Sequence, residues 1–409
     1  MTQTTNPEAI HLPALDGVRG LAITVVLFAH AAINVPAGPW PSLVGRAYFT
    51  LCSFGWIGVD LFFVLSGFLI TRILIEARQS PGYFRNFYAR RALRIFPLYY
   101  GVLALLFLLN VLVEPSPSSG KSVDSFAWLW FYVSNIGLVI KGQELHFSDW
   151  YLTGHFWSLA VEEQFYLIWP VVVLMSSPAG LRRVCLGFMV AALVLRIFLV
   201  ANGASLFAVY LQTPCKMDTF AAGAWLACAV HAGELASLVR PARWVALGGV
   251  VFLAILGGTA FQRGQWYPYD DAFMRTLGLS MLWAFFGSLL VLALAAKQQS
   301  VTGRFFSSAP LRWLGKYSYG IYVFHGLLAP LVVAWVLART DGVGAFLQSL
   351  AYILTSSTLA ILVAWCSWHL YERHWLRLKR FFPSGAGVRD ERKSIETILL
   401  PRVITPKLP

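Results

Sequence analysis

The sequence is poor in charged residues. Asp, Glu, Lys and Arg make up 12% of its 409 residues, about half the share found in an ordinary soluble domain. The five cysteines form no Cys-x-x-Cys pair and no Cys/His ligand spacing, so neither a disulfide framework nor a metal site is predicted. The sequence also lacks an internal repeat of fixed period. These absences, together with 58% hydrophobic residues, exclude a disordered chain, a coiled coil and an ordinary soluble fold.

Long apolar runs are what the sequence has instead. Segments close to the roughly 20 residues needed to cross a bilayer recur about ten times along the chain. They are bounded by Pro, Gly or charged residues, as expected for helices that end at the membrane surface. We therefore predict an all-α, polytopic membrane bundle of about ten transmembrane helices. The apolar runs cover residues 17–36, 54–73, 93–113, 155–175, 183–202, 217–231, 243–260, 276–296, 317–337 and 347–370.

Positive charge exceeds negative charge, with 32 Lys and Arg residues against 19 Asp and Glu and a net charge of +13. On a soluble chain such an excess would indicate nucleic acid. Here 24 of the cations fall in one set of alternate connections and 7 in the opposite set. By the positive-inside rule this distribution predicts two cytoplasmic termini in the cell (inner) membrane. The predicted partner is the lipid bilayer, and no nucleic acid is expected.

The ends of the chain differ from its apolar body. The first apolar run continues through His30 without a small-residue cleavage site, so we expect it to be retained as a signal anchor. Residues 1–375 are predicted to form the membrane domain. Residues 376–409 are polar and are predicted to be a loose cytoplasmic tail.

Ionisable residues inside the spans are costly there and mark candidate functional sites. Arg19 and His30 are eleven residues apart in the first span, which places them within about 20° of one helix face and about 16 Å apart along the axis. The alternative is a topology-setting arginine and a histidine that is hydrogen-bonded within the bundle. Taken alone, Arg19 and His30 do not decide between a functional site and this structural alternative.

Two carboxylates are predicted at the depth of His30. Asp60 and Glu162 each lie about 10 Å below the outer end of their spans. Glu162 shares a polar stripe with His155 and Ser158, whereas Glu163 points about 100° away and is expected to pair elsewhere. An imidazole with a neighbouring carboxylate can act as a general base. The alternative is that both carboxylates are structural hydrogen-bond partners between helices.

Arginines gather at the predicted cytoplasmic level. Arg91 and Arg94 are three residues apart near the predicted start of the third span, where a helix N-terminus also favours anions, and Arg19 lies at the same level. Arginine forks bind phosphate oxygens, although such clusters also serve topology and lipid head groups. A basic anchor below a His/carboxylate site matches acyl-CoA, which has a phosphorylated head and a thioester at the tip of an extended arm. We predict acyl-CoA as co-substrate and no tightly bound cofactor.

Six segments of the sequence form an ordered series of motifs. They are LDGVRGLAITVVLFAH (15–30), GVDLFFVLSGFLIT (58–71), RRALRIFPLYY (90–100), HFWSLAVEEQFYLIWP (155–170), KMDTFAAGAWLA (216–227) and KYSYGIYVFH (316–325). In their order and spacing these segments resemble the acyltransferase family 3 membrane proteins, and the resemblance covers residues from about 12 to 375. Family members are multi-span enzymes that O-acylate cell-surface polysaccharides, peptidoglycan, lipids or antibiotics.

The resemblance implies roles for individual residues. It implies that His30 is the catalytic histidine, that Arg19 is needed for function, and that Arg91 and Arg94 help to hold the acyl-CoA. Whether His30 acts as general base or is transiently acylated stays open. Other positions of this sequence that fall on the family's paired glutamates or recurrent polar positions are Glu162, Glu163, Asp60, Asp218, Tyr317 and His325.

The function predicted from these features is membrane O-acylation. A short acyl group, acetyl, would move from cytoplasmic acyl-CoA to a hydroxyl of a cell-surface polysaccharide or glycoconjugate. The aromatic-rich connection 114–154 is predicted to face outward and to offer sugar-stacking surfaces. Many family members carry a fused extracytoplasmic hydrolase-like domain, for which the tail after about residue 375 is too short. We therefore expect either direct acylation or a separate extracytoplasmic partner enzyme.

Two other functions fit the same residues. One is acylation of a small molecule such as a macrolide sugar, which would enter from the inner side. The other is a proton-coupled transporter in which His30, Asp60 and Glu162 form a proton relay. The sequence lacks the internal repeats common in such transporters, and fold class alone does not separate these functions.

Overall fold

A computed structural model describes residues 13–33, 42–113, 121–141, 153–263 and 271–383. Every element in these ranges is a helix, and the described part of the chain contains no β-strand. The predicted all-α class is therefore confirmed. The helices are α1 (Pro13–Ile33), α2 (Leu43–Ser53), α3 (Gly58–Ala77), α4 (Tyr83–Val113), α5 (Lys121–Trp130), α6 (Ser134–Lys141), α7 (Trp157–Met175), α8 (Pro178–Ala201), α9 (Leu206–Tyr210), α10 (Thr213–His231), α11 (Leu235–Arg263), α12 (Leu279–Ala295), α13 (Val301–Phe306), α14 (Ala309–Leu327), α15 (Ala329–Leu337), α16 (Ala345–Ser367) and α17 (Arg373–Arg377).

Short turns of other helix types extend several of these helices. Two are π-helical: Met274–Gly278 leads into α12, and Trp368–Glu372 joins α16 to α17. Such π turns are rare and often occur at functional sites. Three are 3₁₀ turns, namely Gly55–Ile57, Gly154–Phe156 and Leu378–Phe381.

Seven helical segments of the described chain are long and apolar enough to cross a membrane. An eighth results if α14 and α15, which meet at a 57° bend, form one broken span. Ten spans were predicted, and this number is not confirmed. Helices do occupy the two other predicted positions, as α1 and α10, but α10 carries the charged residues Lys216 and Asp218.

The distribution of apolar side chains is that of a membrane protein. On α8 and α11, large apolar residues such as Val190 and Ile255 are more than half exposed, as expected for helices that face lipid. In contrast, α3 and α10 lie at the centre of the bundle, where most of their residues are buried. The interior of the bundle is therefore built around this central pair.

Glycines allow the closest helix contacts. A Cβ atom added to Gly223 of α10 would lie 1.9 Å from the Val64 carbonyl oxygen of α3, and one added to Gly315 of α14 would lie 1.9 Å from the Asp16 carbonyl oxygen of α1. Small residues let membrane helices approach in this way. The contact between α1 and α14 fixes Arg19 at one end of the bundle, which we call the arginine end.

The fourth helix begins earlier than predicted. The apolar run suggested a start at residue 93, but α4 begins at Tyr83. Arg91 and Arg94 thus lie about 12 and 16 Å beyond the first helical residue. The prediction that a helix N-terminus supports anion binding by these arginines is wrong, because residues 83–90 already form more than two helical turns before Arg91.

The predicted outward connection 114–154 contains structure. Its described part forms α5 and α6, neither of which is long enough to cross a bilayer. The hydroxyl of Tyr99, on α4, donates to the Leu129 carbonyl at 2.9 Å, and the side-chain amide of Gln164, on α7, donates to the Tyr132 carbonyl at 2.8 Å. The turn between α5 and α6 is therefore packed against two long helices, and no observation tests its contact with sugars.

The helical region continues past residue 375. A 3₁₀ turn extends it to Phe381, and a guanidinium N–H of Arg90 donates to the carbonyls of Lys379 and Phe382 at 3.3 and 2.8 Å. The start of the predicted tail is thus attached to α4 at the arginine end. Residues 384–409 lie outside the described part of the chain.

Candidate active site

A cavity of about 110 Å³ lies between α1, α3, α4, α7 and α14. It contains three arginines and two glutamates, with hydroxyl groups between them. No single stretch of sequence forms it, because five distant helices each contribute one face. Its polar lining residues are Arg19, Ser66, Arg91, Arg94, Ser158, Glu162, Glu163, Tyr166, Ser318, Tyr319 and Tyr322.

The three arginines predicted to act together do line one cavity. Arg19 makes a 3.3 Å ion pair with Asp16. The guanidinium of Arg91 lies 5.6 Å from the ring centroid of Tyr166. Within the described ranges, neither Arg91 nor Arg94 has a carboxylate oxygen within 4.0 Å. Two guanidinium groups therefore face the cavity without an ion-pair partner from these residues, which suits an anionic ligand.

Aromatic rings hold Arg94 in place. Its guanidinium lies 5.9 Å from the Tyr319 ring centroid and 5.1 Å from that of Trp368. Both distances are within the range of a cation–π interaction. Trp368 begins one of the π turns, so this irregular turn is part of the wall beside Arg94. Aromatic contacts orient the guanidinium and leave its N–H donors available to a ligand.

Glu162 is fixed by two hydroxyl groups. Its Oε1 accepts hydrogen bonds from the Ser66 and Tyr166 hydroxyls. The prediction that Glu162 faces the interior cavity is confirmed. Tyr166 is four residues further along the same helix, so the spacing could have revealed this contact. Ser66 lies on a different helix, and nothing in the sequence pairs it with Glu162.

The prediction that Glu162 lies at the depth of His30 is wrong. Gly58, at the start of α3, approaches Ala22 of α1, and Ser66 lies about 12 Å further along α3. Glu162 is therefore at the level of the arginines.

Glu163 was expected to pair away from the cavity, and this prediction is wrong. Its side chain lines the same cavity as Glu162. Its Oε1 is buried and has no hydrogen-bond partner in the described part of the protein. Neighbouring helical residues point about 100° apart, but the cavity is wide enough around α7 to receive both.

The predicted polar stripe on α7 divides between two environments. Ser158 lines the cavity beside Glu162, and its hydroxyl is 2.5 Å from that of Tyr322. His155 lies before Ser158, in the 3₁₀ turn Gly154–Phe156 that leads into α7, where its Nε2–H donates to the Val323 carbonyl at 3.2 Å. The His155 ring packs 4.8 Å from that of His325, which is itself buried. These two histidines hold α7 against α14.

His30 is helical residue 18 of α1, about 16 Å along the axis from Arg19. Its side chain lies outside the described part of the structure. The helix therefore confirms the spacing between Arg19 and His30 but does not test the role of the imidazole.

Asp60 does not line the cavity. Its carboxylate forms a 2.8 Å ion pair with Lys216, which is 1% exposed. The apolar runs ended at residue 202 and resumed at 217, which placed Lys216 in a connection between spans, and that prediction is wrong because α10 begins at Thr213. This position favours the alternative in which Asp60 is a structural partner, and catalysis by Asp60 stays a prediction.

A second ion pair completes a buried, electrically balanced cluster. Arg196 of α8 contacts Asp218 of α10 at 2.7 Å, and both are buried. Arg196 also donates to the Cys215 carbonyl and to the Ser280 hydroxyl. With Asp60 and Lys216, two cations and two carboxylates connect α3, α8, α10 and α12. Balanced pairs of this kind make buried charge tolerable in a membrane.

We expect Asp60→Asn to destabilise the protein strongly, because it leaves the Lys216 ammonium buried without a counter-charge. Breaking one partner of a buried pair costs about 3–5 kcal/mol. The double variant Asp60→Asn with Lys216→Met is expected to recover most of that loss. Thermal unfolding of the purified variants in detergent measures both effects. An Asp60→Asn variant as stable as the wild type would contradict the cluster's structural role.

A larger groove adjoins the cavity at the arginine end. Its volume is about 560 Å³, and it shares Arg19 and Arg94 with the cavity. The two spaces therefore meet at these two guanidinium groups. Sequence reasoning did not find this groove, because its walls come from α1, α4, α14 and the π turn at Trp368. The lining residues are Asp16, Arg19, Arg94, Ala309, Arg312, Trp313, Gly315, Lys316 and Trp368.

Comparison with known proteins supplies a family match. A family model described as an acyltransferase domain matches residues 12–369. The peptidoglycan O-acetyltransferase OatA of Listeria monocytogenes is 30% identical over 339 residues, which are 80% of this chain and 50% of that protein. No solved structure matches the chain.

Two further relatives are similar over the same region. The putative peptidoglycan O-acetyltransferase YrhL of Bacillus subtilis is 29% identical over 89% of this chain and 54% of its own length. The O-acetyltransferase OatA of Staphylococcus aureus is 26% identical over 77% of this chain and 50% of its own length. The chain thus spans about half the length of the curated relatives it matches.

Proposed function

Because the chain belongs to acyltransferase family 3, we propose that it moves an acetyl group from acyl-CoA to a hydroxyl of a cell-surface polysaccharide or glycoconjugate. The donor would be acetyl-CoA from the cytoplasm, and the arginine end would face the cytoplasm. The relatives above are named as O-acetyltransferases, two of them of peptidoglycan. A peptidoglycan-type glycan is therefore the acceptor to examine first.

One observation carries the proposal more than any other. Arg91 and Arg94 face the same cavity as Glu162, and neither is within 4.0 Å of a carboxylate in the described ranges. Phosphate oxygens would accept bidentate hydrogen bonds from these guanidinium groups. A donor held there by its phosphates would extend its thioester arm along the cavity toward the level of His30.

The proposed reaction is acyl transfer with His30 as general base. The imidazole removes the proton from the acceptor hydroxyl while its oxygen attacks the thioester carbonyl carbon. Collapse of the tetrahedral intermediate breaks the carbon–sulfur bond, and the CoA thiolate leaves with the proton from the imidazolium. The products are an O-acetyl ester and free CoA. Glu162 would act as a fixed negative charge in the cavity that receives the thioester arm.

The fixed carboxylate of Glu162 supports this role. Its Oε1 already accepts from the Ser66 and Tyr166 hydroxyls, so its position is set before the substrate arrives. Preorganised charge of this kind stabilises a transition state without reorganisation during the reaction. In this proposal Asp60 has no contact with substrate. Its role is to stabilise the helix bundle through its ion pair with Lys216.

A direct assay of acetyl transfer tests the proposal. Purified protein in lipid nanodiscs is supplied with isotopically labelled acetyl-CoA and a soluble peptidoglycan oligosaccharide, and products are analysed by mass spectrometry. We expect one acetyl mass increment on the oligosaccharide that mild base removes, as expected for an ester. Glycans from cells that lack the protein should lack the same increment and regain it on complementation. Binding of acetyl-CoA with no acylated product from any glycan or macrolide would contradict the proposal.

A further inference from the structure

The groove at the arginine end has a distinctive composition. Among the residues that the structure describes, four cations, Arg19, Arg94, Arg312 and Lys316, line it with a single carboxylate, Asp16. Two indole rings also line the groove. An accumulation of positive charge beside flat aromatic surfaces is suited to a nucleotide, which combines phosphates with a planar base. The two rings are those of Trp313 and Trp368.

We propose that this groove binds the 3′-phosphorylated ADP portion of the CoA donor, an inference that rests on the proposed function. The adenine would stack on the indole wall. The diphosphate would lie at Arg19 and Arg94, where the groove meets the inner cavity. The 3′-phosphate would lie at Arg312 and Lys316.

The placement of the 3′-phosphate follows from α14. Arg312 and Lys316 are four residues apart on this helix, so their side chains share one face. Both residues are exposed. Neither forms an ion pair within the described part of the chain. Their positive charge is thus open to a ligand in the groove and lies outward of the pair that would hold the diphosphate.

The placement of the adenine follows from the aromatic wall. The Trp313 ring centroid lies 4.9 Å from that of Tyr317, which in turn lies 5.8 Å from that of Trp368. Trp313 lines the groove and is 41% exposed, so part of its indole is accessible to a ligand. The Lys316 ammonium lies 5.4 Å from the Trp368 ring centroid, which places a cation directly beside this wall.

The groove and the cavity together match the order of groups along acetyl-CoA. The head would occupy the groove, the diphosphate the junction at Arg19 and Arg94, and the thioester arm the cavity that contains Glu162. A lipid phosphate would use the cations but has no base to place on the indoles. The composition of the groove therefore favours a nucleotide over a lipid phosphate. If the ligand is CoA, the groove should recognise its 3′-phosphate.

The test compares CoA with 3′-dephospho-CoA, using the whole chain in nanodiscs of zwitterionic lipid. We expect the wild type to bind CoA at least about tenfold more tightly, since hydrogen bonds to charged groups contribute about 1.5–3 kcal/mol. The double variant Arg312→Gln, Lys316→Gln should bind the two compounds with equal affinity. Its affinity for 3′-dephospho-CoA should stay within twofold of the wild-type value. Equal affinity of the wild type for both compounds would overturn this inference.

A matched control uses cations outside the groove. Lys297 and Arg304 precede α14, are exposed and do not line the groove, so Lys297→Gln with Arg304→Gln should keep the discrimination. If this control also bound CoA and 3′-dephospho-CoA with equal affinity, the inference would be overturned, because the preference for CoA would then depend on overall positive charge and not on the groove. Trp313→Ala should weaken binding of adenosine 3′,5′-bisphosphate at least about fivefold, and Trp313→Phe should restore it.

The outcomes separate this inference from the proposed function. The wild type could acetylate a glycan from acetyl-CoA and yet bind 3′-dephospho-CoA as tightly as CoA. That result would contradict binding of the 3′-phosphorylated head in the groove but would remain consistent with the acyltransferase proposal. A wild type that binds neither compound would overturn both.

Discussion

Replacement of His30 by alanine is expected to abolish acetyl transfer while the protein still binds its donor. General-base catalysis contributes about 10²–10⁴-fold to a rate, so the loss should reach at least about a hundredfold. Since His30 lies about 16 Å along α1 from Arg19, removal of its imidazole should leave the arginine anchor intact. The dissociation constant of acetyl-CoA is therefore expected to change by less than about twofold, within the scatter of effects on distant sites.

The measurement pairs a transfer rate with a binding constant for the same purified variant. His231 provides the control, because it is exposed at the end of α10 and far in sequence from the site. His231→Ala should match the wild type in both quantities. A His30→Ala variant that transfers acetyl at the wild-type rate would remove His30 from the mechanism.

The second large effect is expected at Arg91 and Arg94. Replacement of either by glutamine should weaken acetyl-CoA binding by about 10–100-fold, because each lost charge-assisted hydrogen bond costs about 1.5–3 kcal/mol. Lysine should rescue only part of the loss, since it keeps the charge but cannot form the bidentate fork. Equilibrium binding of acetyl-CoA to each variant measures the effect.

Arg85 is the matched control for these two arginines. It lies on the same helix, α4, but is exposed and does not line the cavity. Arg85→Gln should bind acetyl-CoA as the wild type does. If Arg91→Gln and Arg94→Gln also bind it normally, the two arginines serve topology or lipid contact rather than the donor.

The sequence predicted much of the polar geometry within single helices. Helical periodicity placed Arg91 beside Arg94 and directed Glu162 and Ser158 to one face, and the cavity contains all four. Helical periodicity could not place Glu163. Whether the residue next to Glu162 also reaches the cavity depends on the width of the space around α7. That width is set by packing between helices far apart in sequence.

Contacts between distant helices account for the other differences. The pairing of Asp60 with Lys216 requires α3 and α10 to be adjacent, which no local pattern indicates. The groove likewise depends on the approach of α14 to the π turn at Trp368. The early start of α4 was missed for a simpler reason: an apolar run marks where a helix enters the membrane and not where the helix begins.

The central claim is that the acetyl group leaves its CoA at one site within the bundle. The most direct measurement supplies acetyl-CoA with different isotopes in its acetyl and adenine groups to sealed proteoliposomes that enclose a peptidoglycan oligosaccharide. The account predicts acetyl label as an ester on the enclosed oligosaccharide, with all adenine label left outside as free CoA. Both labels entering together, or entry of substrate without ester formation, would indicate transport and contradict the account.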